Sequence, residues 1–248
     1  MRSSRRSERK PISLPNKERI HYKIKGATAV KEKKQTPKKT GSVFYRICYA
    51  IFAGLVGFLF RIRVTGHEHE PDEGGFIVCA NHISATDAVV LCYAFRKHQV
   101  CFMAKKELFK IPLLSGLIRS LGAFPIDRGG NDVGAIKSAV SLVKSGKCMG
   151  IFPQGHRYPA KNPRETATKN GAALICTKAE ADIVPVYIQK KNNTHKIFRK
   201  TKVIIGEKIA FEELEYNPEA AGEYARITGI IFDRICTLGE TAAKETRV

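Results

Sequence analysis

From residue 75 onward, short apolar runs rich in β-branched residues alternate with longer segments of helical periodicity. This alternation is typical of an α/β domain in which helices cover the faces of a sheet. We therefore predict a mixed sheet flanked by helices, in one domain without internal repeats. The predicted strands lie near residues 75–80, 99–103, 148–152, 183–189 and 201–206, and the predicted helices near residues 86–96, 113–121, 132–145, 169–181 and 219–238.

Local signals refine two of these elements. The predicted helix 132–145 follows Asn131 and Asp132, either of which suits an N-cap, and Gly146 is suited to end it. Pro185 lies inside the predicted strand 183–189. Proline has no N–H to offer a neighbouring strand, so this position indicates an edge strand or a bulge.

Cysteine usage indicates the compartment. The chain of 248 residues has seven cysteines, an odd number, with no CxxC pair. Most of them lie within apolar runs, as small core residues do in a reducing compartment. The pattern argues against a disulfide framework and against a structural zinc site, so we expect no bound metal.

Positive charge is concentrated at the N-terminus. The formal net charge is +20, and residues 1–40 alone hold 14 Lys and Arg against 3 Glu. This segment has few large apolar residues, so we predict a disordered basic arm over residues 1–40. An anionic membrane attracts such an arm by about 1 kcal/mol for each basic residue near the surface, and nucleic acid attracts it too. A solvated tail without a partner is the third alternative.

An apolar segment follows the arm. Residues 43–60 are mostly apolar, and their charge-free part, residues 47–60, is 14 residues long. As a helix it spans about 21 Å, short of a hydrocarbon core of about 30 Å. We predict an interfacial or re-entrant helix, or a helical hairpin, over residues 41–63 that seats the domain 64–248 on the cytosolic leaflet. The alternative is a buried core helix.

An HxxxxD pattern, from His82 to Asp87, lies where an apolar run ends and a helical pattern begins. A histidine oriented by a carboxylate can take a proton from a substrate hydroxyl. Residues five apart on a helix point about 140° apart, so we expect His82 on the loop before the helix. The alternatives are a chance spacing and a capping box formed by Ser84 and Asp87.

Three further positions suit an anionic ligand. Arg128 ends the segment Gly122-Ala-Phe-Pro-Ile-Asp and can form a fork onto a phosphate. In the later turn Phe-Pro-Gln-Gly-His-Arg, Gly155 lets the backbone approach a ligand and Arg157 offers a second cation. Lys169 is a plausible anion contact. A surface ion pair beside Arg128 and an ordinary tight turn at Gly155 are the structural alternatives.

Taken in order, four segments resemble the motifs of the PlsC-type glycerophospholipid acyltransferase family, which includes 1-acylglycerol-3-phosphate acyltransferases. Residues 82–87 resemble its first motif, NHxxxxD, and residues 122–128 its second, in which an arginine follows Ile-Asp. Residues 152–157 resemble the third motif, usually FPEGTR, and residues 183–188 the fourth, a strand holding a proline. The resemblance spans roughly residues 62–210.

The resemblance implies an enzyme that moves an acyl chain from a thioester, acyl-CoA or acyl carrier protein, to a lysophospholipid hydroxyl. His82 is then the general base, Asp87 orients it, and Arg128, Gly155 and Arg157 hold the acceptor's phosphate. The expected acceptor is lysophosphatidic acid (1-acylglycerol 3-phosphate), and the product is phosphatidic acid. We expect the enzyme at the cytoplasmic face of the cell membrane, in contact with membrane lipids, without a cofactor and without nucleic acid.

The third motif departs from the family at two positions. Gln154 replaces the usual glutamate and His156 the usual threonine. Three alternatives therefore stay open: another acceptor such as glycerol 3-phosphate or a different lysophospholipid, a non-catalytic basic protein that binds membranes or nucleic acid, and a member that has lost activity. Possible substrate contacts are Asn81, Gln154, His156, Lys105 and Lys169, and apolar residues between 102 and 113 are candidates for an acyl path.

Overall fold

A computed structural model of the protein describes residues 54–112, 114–120, 122–126, 133–190 and 198–245. The strands are β1 (Ile62–Thr65), β2 (Ile77–Ala80), β3 (Val100–Lys105), β4 (Ala123–Ile126), β5 (Cys148–Ile151), β6 (Ile183–Lys190) and β7 (Thr201–Ile205). The helices are α1 (residues 54–60), α2 (Asp87–Ala94), α3 (Leu114–Ser120), α4 (Val133–Lys144), α5 (Gly171–Ala179) and α6 (Glu223–Glu245).

The N-terminal predictions fall largely outside this range. The basic arm predicted over residues 1–40, and residues 41–53 of the predicted membrane-associating segment, lie outside the described residues. Residues 54–60 of that segment are helical. No helix in the described part of the chain is both long and apolar enough to span a membrane.

The strands form one mixed sheet in the order β1-β7-β6-β2-β5-β3-β4. Strand β2 is parallel to both of its neighbours, β5 and β6, and β3 is parallel to β5 and β4. Strand β7 pairs antiparallel with β6, and β1 is parallel to β7. The predicted mixed sheet flanked by helices is therefore confirmed.

The sheet has a core on each face, and the central strand β2 contributes to both. Ile77 and Cys79 pack into the core under α4, α5 and α6, whereas Val78 and Ala80 pack into the core under α2. All four residues have no exposed surface. A strand buried on both faces needs a continuous apolar run, which explains why β2 could be recognised in the sequence.

The two edge strands, β1 and β4, were not expected from the sequence. Each has only four residues. No strand was predicted in the segment that contains β4, and Pro125 lies within this strand, which pairs on one side only, with β3. A proline is tolerated at such an edge, where half of the backbone N–H groups have no strand to bond.

Pro185 lies in an interior strand, so the edge alternative is wrong. Strand β6 is flanked by β7 and β2. Its regular pairing with β7 begins at Val186, opposite Ile205, and the next bridge joins Ile183 to Ile209. Between these pairs, two residues of β6 oppose three of the partner segment, which is a bulge. The missing N–H of Pro185 therefore falls where the ladder is already interrupted, as the second alternative predicted.

The helix ends agree with the sequence signals in one case and differ in another. Gly146 follows α4 with φ +81°, and its N–H donates to the carbonyl oxygen of Val143 while the N–H of Lys147 donates to that of Leu142. These are the bonds of a glycine C-cap. Helix α6, by contrast, continues to Glu245, seven residues beyond its predicted end.

Two glycines of α6 test how closely this helix approaches the sheet. A Cβ at Gly239 would lie 2.4 Å from Cζ of Tyr187 on β6, whereas a Cβ at Gly229 would meet nothing within 4 Å. We expect Gly229→Ala to raise the free energy of unfolding by up to about 1 kcal/mol through helix propensity. Gly239→Ala should lower it by about 1–3 kcal/mol, because the helix or the Tyr187 ring must move. Urea denaturation measures both, and equal effects would contradict the close approach.

Candidate active site

The residues predicted to act together gather at one edge of the sheet. Strands β2, β3, β4, β5 and β6 run parallel to one another, so their C-terminal ends share that edge. His82 follows the end of β2, and the turn Phe152–Arg157 follows β5. A hydrogen bond from the N–H of Tyr158 to the carbonyl oxygen of His82, 2.9 Å long, joins the two loops. Ligands of open α/β sheets bind at such an edge.

The predicted base and its orienter form a pair. His82 lies on the loop before α2, and Asp87 is the first residue of that helix. His82 Nδ1 lies 2.9 Å from Asp87 Oδ2. The expectation that the histidine precedes the helix is therefore confirmed, and the five-residue spacing brings the two side chains together.

The two carboxylate oxygens of Asp87 have different donors. Oδ2 accepts hydrogen bonds from His82 Nδ1 and from two backbone N–H groups, those of Ile83 at 2.6 Å and Ser84 at 2.7 Å. Oδ1 accepts from Lys190 Nζ at 2.5 Å and from the Ser84 hydroxyl at 3.0 Å. The N-cap of α2 is Thr86, which makes no side-chain capping bond, so the capping-box alternative is wrong. The bonds from Ser84 to Asp87 order the loop before the helix instead.

The surroundings of Asp87 keep its carboxylate charged. Its side chain has no exposed surface, and burial by itself would raise the pKa. The hydrogen bond from His82, the charge and hydrogen bond of Lys190 and the N–H of Ser84 outweigh burial and lower the pKa of Asp87 to about 2. An ionised carboxylate only accepts hydrogen bonds, so the facing Nδ1 of His82 carries the proton.

The other ring nitrogen of His82 is left for chemistry. Nε2 has its lone pair when Nδ1 is protonated, and the described residues offer it no hydrogen-bond partner. The side chain is 19% exposed. The Phe152 ring stacks on the imidazole at a centroid distance of 4.0 Å and an angle of 10°, and Phe102 stacks on Phe152 at 5.7 Å. The Phe152 ring covers one face of the imidazole and fixes its plane, while part of the His82 side chain stays accessible to solvent.

Gln154 holds the backbone of His82. It is 2% exposed; its Oε1 accepts from the His82 N–H at 2.6 Å, and its Nε2 donates to Thr166 Oγ1 at 2.6 Å. The amide therefore ties the third motif to the first with one acceptor and one donor. Both bonds are made within the protein, so the geometry assigns Gln154 a structural tie rather than the substrate contact considered from the sequence.

Asn81 also has a structural contact. It has no exposed surface, and its amide donates to the carbonyl oxygen of Ile188 and accepts from the Ile188 N–H, at 3.0 and 2.7 Å. These two bonds fasten the loop after β2 to strand β6. They favour a structural role over the substrate contact that the sequence suggested for Asn81.

The remaining candidates belong to loops and strand ends at the same edge of the sheet as the pair. Gly155 has φ +67°, and a Cβ there would lie 2.8 Å from Cδ of Lys169, so the close approach at this glycine is made by the lysine stem. Lys105, His156, Arg157 and Lys169 are exposed, and among the described residues none of their charged groups has a hydrogen-bond or ion-pair partner. Arg128 lies outside the described residues, two positions after the end of β4.

The sequence analysis missed two residues of this site. Lys190 ends β6 and is 5% exposed, although lysine is rarely buried. Phe152 begins the segment that resembles the third motif, but no role in the site was predicted for it. A partial signal for Lys190 was present in the sequence, since lysines 190 and 191 follow the predicted strand 183–189 at the sheet edge where the predicted site residues gather, but it did not indicate a contact with Asp87.

Comparison with known proteins supports the family that the sequence motifs resemble. The family model described as Acyltransferase matches residues 61–189, just over half of the chain. A 1-acyl-sn-glycerol-3-phosphate acyltransferase of Bacillus subtilis is 29% identical over 176 residues, which cover 70% of this chain and 86% of that protein. The enzyme of the same name from Streptococcus pneumoniae is 36% identical over 57% of this chain and 54% of its own length.

A solved structure extends the comparison to the fold. The crystal structure of the 1-acyl-sn-glycerophosphate (LPA) acyltransferase PlsC from Thermotoga maritima matches with a TM-score of 0.57 and 25% sequence identity. The match covers 79% of this chain and 78% of that one. With the family model spanning over half of the sequence, the chain belongs to the acyltransferase family and is an enzyme of the PlsC type.

Proposed function

We propose that this enzyme transfers an acyl chain from an acyl thioester to the free hydroxyl of 1-acylglycerol 3-phosphate, which gives phosphatidic acid. The observation that carries the proposal is the His82–Asp87 pair, with Nδ1 held at 2.9 Å by an ionised carboxylate and Nε2 unpartnered within the described residues. The names of the curated relatives support the choice of acceptor.

The reaction follows from this arrangement. His82 Nε2 takes the proton of the acceptor hydroxyl as its oxygen attacks the thioester carbonyl carbon. The tetrahedral intermediate then expels the thiolate, which receives the proton from His82. Asp87 stabilises the imidazolium formed in between and keeps the ring in the right tautomer. As proposed, the step needs no metal or cofactor.

The acceptor's phosphate is assigned to the cations around the pair. Arg157 and Lys169 on the loops after β5, and Lys105 at the end of β3, are exposed at the same sheet edge as His82. Arg128 is assigned to the same phosphate on the family resemblance. A phosphate held here orients the acceptor, so that its free hydroxyl reaches His82 Nε2.

Apolar groups near this edge suit an acyl chain. Leu108 and Ile111, on the segment that follows β3, are 38% and 47% exposed, while Lys105 precedes this segment and Lys110 lies within it. Long side chains of this kind place apolar stems beside lipid and charges at the headgroups. The donor is acyl-CoA or acyl carrier protein, and an assay with each, at equal acyl concentration, separates the two.

We also propose that the enzyme works at the cytoplasmic face of the membrane. Leu55 and Phe58 on α1 are 54% and 70% exposed, and Phe198 is 58% exposed. Phe58 and Phe198 meet edge to face at 6.0 Å; Arg199 follows Phe198 directly, and Arg61 lies three positions after Phe58. Exposed aromatic groups beside cations suit an anionic lipid surface. Residues 62 and 63 of the segment predicted over 41–63 pair with β7 in the sheet, so the domain begins before the predicted residue 64. The basic arm 1–40, the rest of the membrane-associating segment 41–63 and the domain predicted over 64–248 complete this proposed organisation.

Replacement of the base is the first test of the mechanism. We expect His82→Ala to lower kcat for acylation of 1-acylglycerol 3-phosphate by at least about 100-fold, since general-base catalysis is lost. The matched control is His69→Ala, because His69 follows β1 at the opposite edge of the sheet. It should leave kcat unchanged. Wild-type turnover in His82→Ala would overturn the assigned role.

The departure at Gln154 has its own test. A glutamate at this position keeps the bond from the His82 N–H, whereas the Thr166 hydroxyl must turn from the Pro163 carbonyl oxygen to donate to the new carboxylate. Because the bond to His82 is kept, we expect Gln154→Glu to change kcat by less than about threefold. Gln154→Leu removes both bonds and should lower kcat about tenfold or more. Steady-state assays of both variants measure this. An inactive wild type with an active Gln154→Glu variant would show instead that activity has been lost through this residue.

The proposed lipid contact is tested by sedimentation with vesicles that contain phosphatidylglycerol. Phe58→Asp and Phe198→Asp should each weaken binding by about tenfold, because each removes one large apolar side chain from the contact. Val133→Asp is the matched control, since Val133 is equally exposed, at 57%, on helix α4. If all three variants bind alike, this surface does not meet the membrane.

A further inference from the structure

A buried lysine stands behind the catalytic pair without a role in the proposed reaction. The side chain of Lys190 is 3% exposed, and that of Asp87 has no exposed surface. Lys190 Nζ lies 2.5 Å from Asp87 Oδ1 and 2.8 Å from the Ser84 hydroxyl, with Thr86 Oγ1 at 3.5 Å. Among the described residues its ammonium thus has three oxygen neighbours, from Asp87 and from the loop just before α2.

Stability alone is a poor explanation for this ion pair. Taking two charges out of water opposes folding, and buried ion pairs are often no more stable than apolar side chains of similar volume. Lys190 is also the last residue of β6, at the edge where the site lies, and reaches a helix 103 positions earlier in the chain. Its position at this edge therefore suggests a role in the arrangement of His82 rather than in the stability of the core.

We propose that Lys190 is a positioning residue for the base: it holds Asp87 Oδ1, so that Oδ2 faces His82, and it offsets the negative charge behind the imidazole. This inference rests on the proposed function of His82. Lys190 itself touches neither reacting group, because Asp87 lies between it and the histidine.

The geometry supports the positioning role. Lys190 and the Ser84 hydroxyl occupy Oδ1, whereas His82 Nδ1 and two backbone N–H groups occupy Oδ2. With donors on both oxygens, the carboxylate cannot rotate without breaking several bonds. Without the ammonium, the Ser84 hydroxyl would be the remaining donor to Oδ1 among the described residues. That hydroxyl is itself held by a hydrogen bond from Lys190, so its position would change as well.

The charge of Lys190 acts on His82 through Asp87, because the carboxylate lies between them. Within the described residues, the charged and titratable groups that face Asp87 are His82 from the loop after β2 and Lys190 from β6, while Ser84 and Thr86 of the α2 start are neutral. His82 is otherwise faced by the Phe152 ring and by the neutral Gln154. Removing the lysine charge leaves the Asp87 carboxylate uncompensated, which stabilises the imidazolium. His82 would then become a free base only at higher pH.

The first measurement follows the imidazole directly. Ring nitrogen NMR of the full-length protein in detergent, with the His82 signals assigned by their loss in His82→Gln, gives the pH midpoint of His82. We expect Lys190→Met to raise this midpoint by about one pH unit, whereas Lys190→Arg keeps it. Lys144→Met, an exposed lysine at the end of α4, is the matched control and should also keep it. If Lys190→Met does not fold, Lys190→Gln takes its place with the same expected shift.

The second measurement is the pH profile of acyl transfer. In Lys190→Met, the acidic limb of kcat/KM should move up by about one pH unit and kcat at pH 7 should fall about tenfold, with KM changed by less than about threefold. Lys190→Arg should restore the wild-type limb. An unchanged NMR midpoint in the neutral variants overturns the role of Lys190, whatever the activity. A shifted midpoint in an enzyme that acylates no lysophospholipid or glycerol phosphate supports the role and overturns the proposed function instead.

Discussion

The buried carboxylate of Asp87 is the interaction on which the arrangement of this site depends. It begins α2, orders the loop that carries His82 through two backbone N–H groups, and receives both the imidazole and a lysine from β6. An ionised group without exposed surface is strongly unfavourable unless every lone pair is used. Its donors satisfy that condition, and its pKa stays at about 2 in spite of burial.

The sheet topology explains how distant segments contribute to one site. Parallel pairing of β2 with both β5 and β6 places the loops after these strands side by side. Gln154 and Asn81 then fasten the His82 loop to its two neighbours, one on each side of β2. Residues of two further motif segments, Gln154 and the backbone of Ile188, thus help to hold the first. A glutamine is compatible with this role at position 154, where the family usually has glutamate, because the contacts to the His82 N–H and to Thr166 are hydrogen bonds that need no charge.

Much of this could be predicted from the sequence. The interior strands are continuous apolar runs, and the loop position of His82 follows from helix geometry. The edge strands β1 and β4 were not predicted because neither is a fully buried apolar run: their residues are half-buried or exposed, whereas all four residues of the equally short β2 are buried. Pro185 suggested an edge as well as a bulge, and only the pairing of β6 on both sides decides between them. The contact between Lys190 and Asp87 joins residues 103 positions apart, which no local pattern encodes.

The central claim is that the oriented histidine and the surrounding cations select a phosphate-bearing acceptor. The most direct measurement compares acylation of 1-acylglycerol 3-phosphate with that of the same monoacylglycerol lacking phosphate, with phosphatidic acid and diacylglycerol quantified by mass spectrometry. The account predicts a kcat/KM at least about 100-fold higher for the phosphorylated acceptor, since a charge-assisted phosphate contact orients the hydroxyl. Equal kcat/KM values for the two acceptors would contradict it. So would the absence of product with both acyl-CoA and acyl carrier protein as the acyl donor.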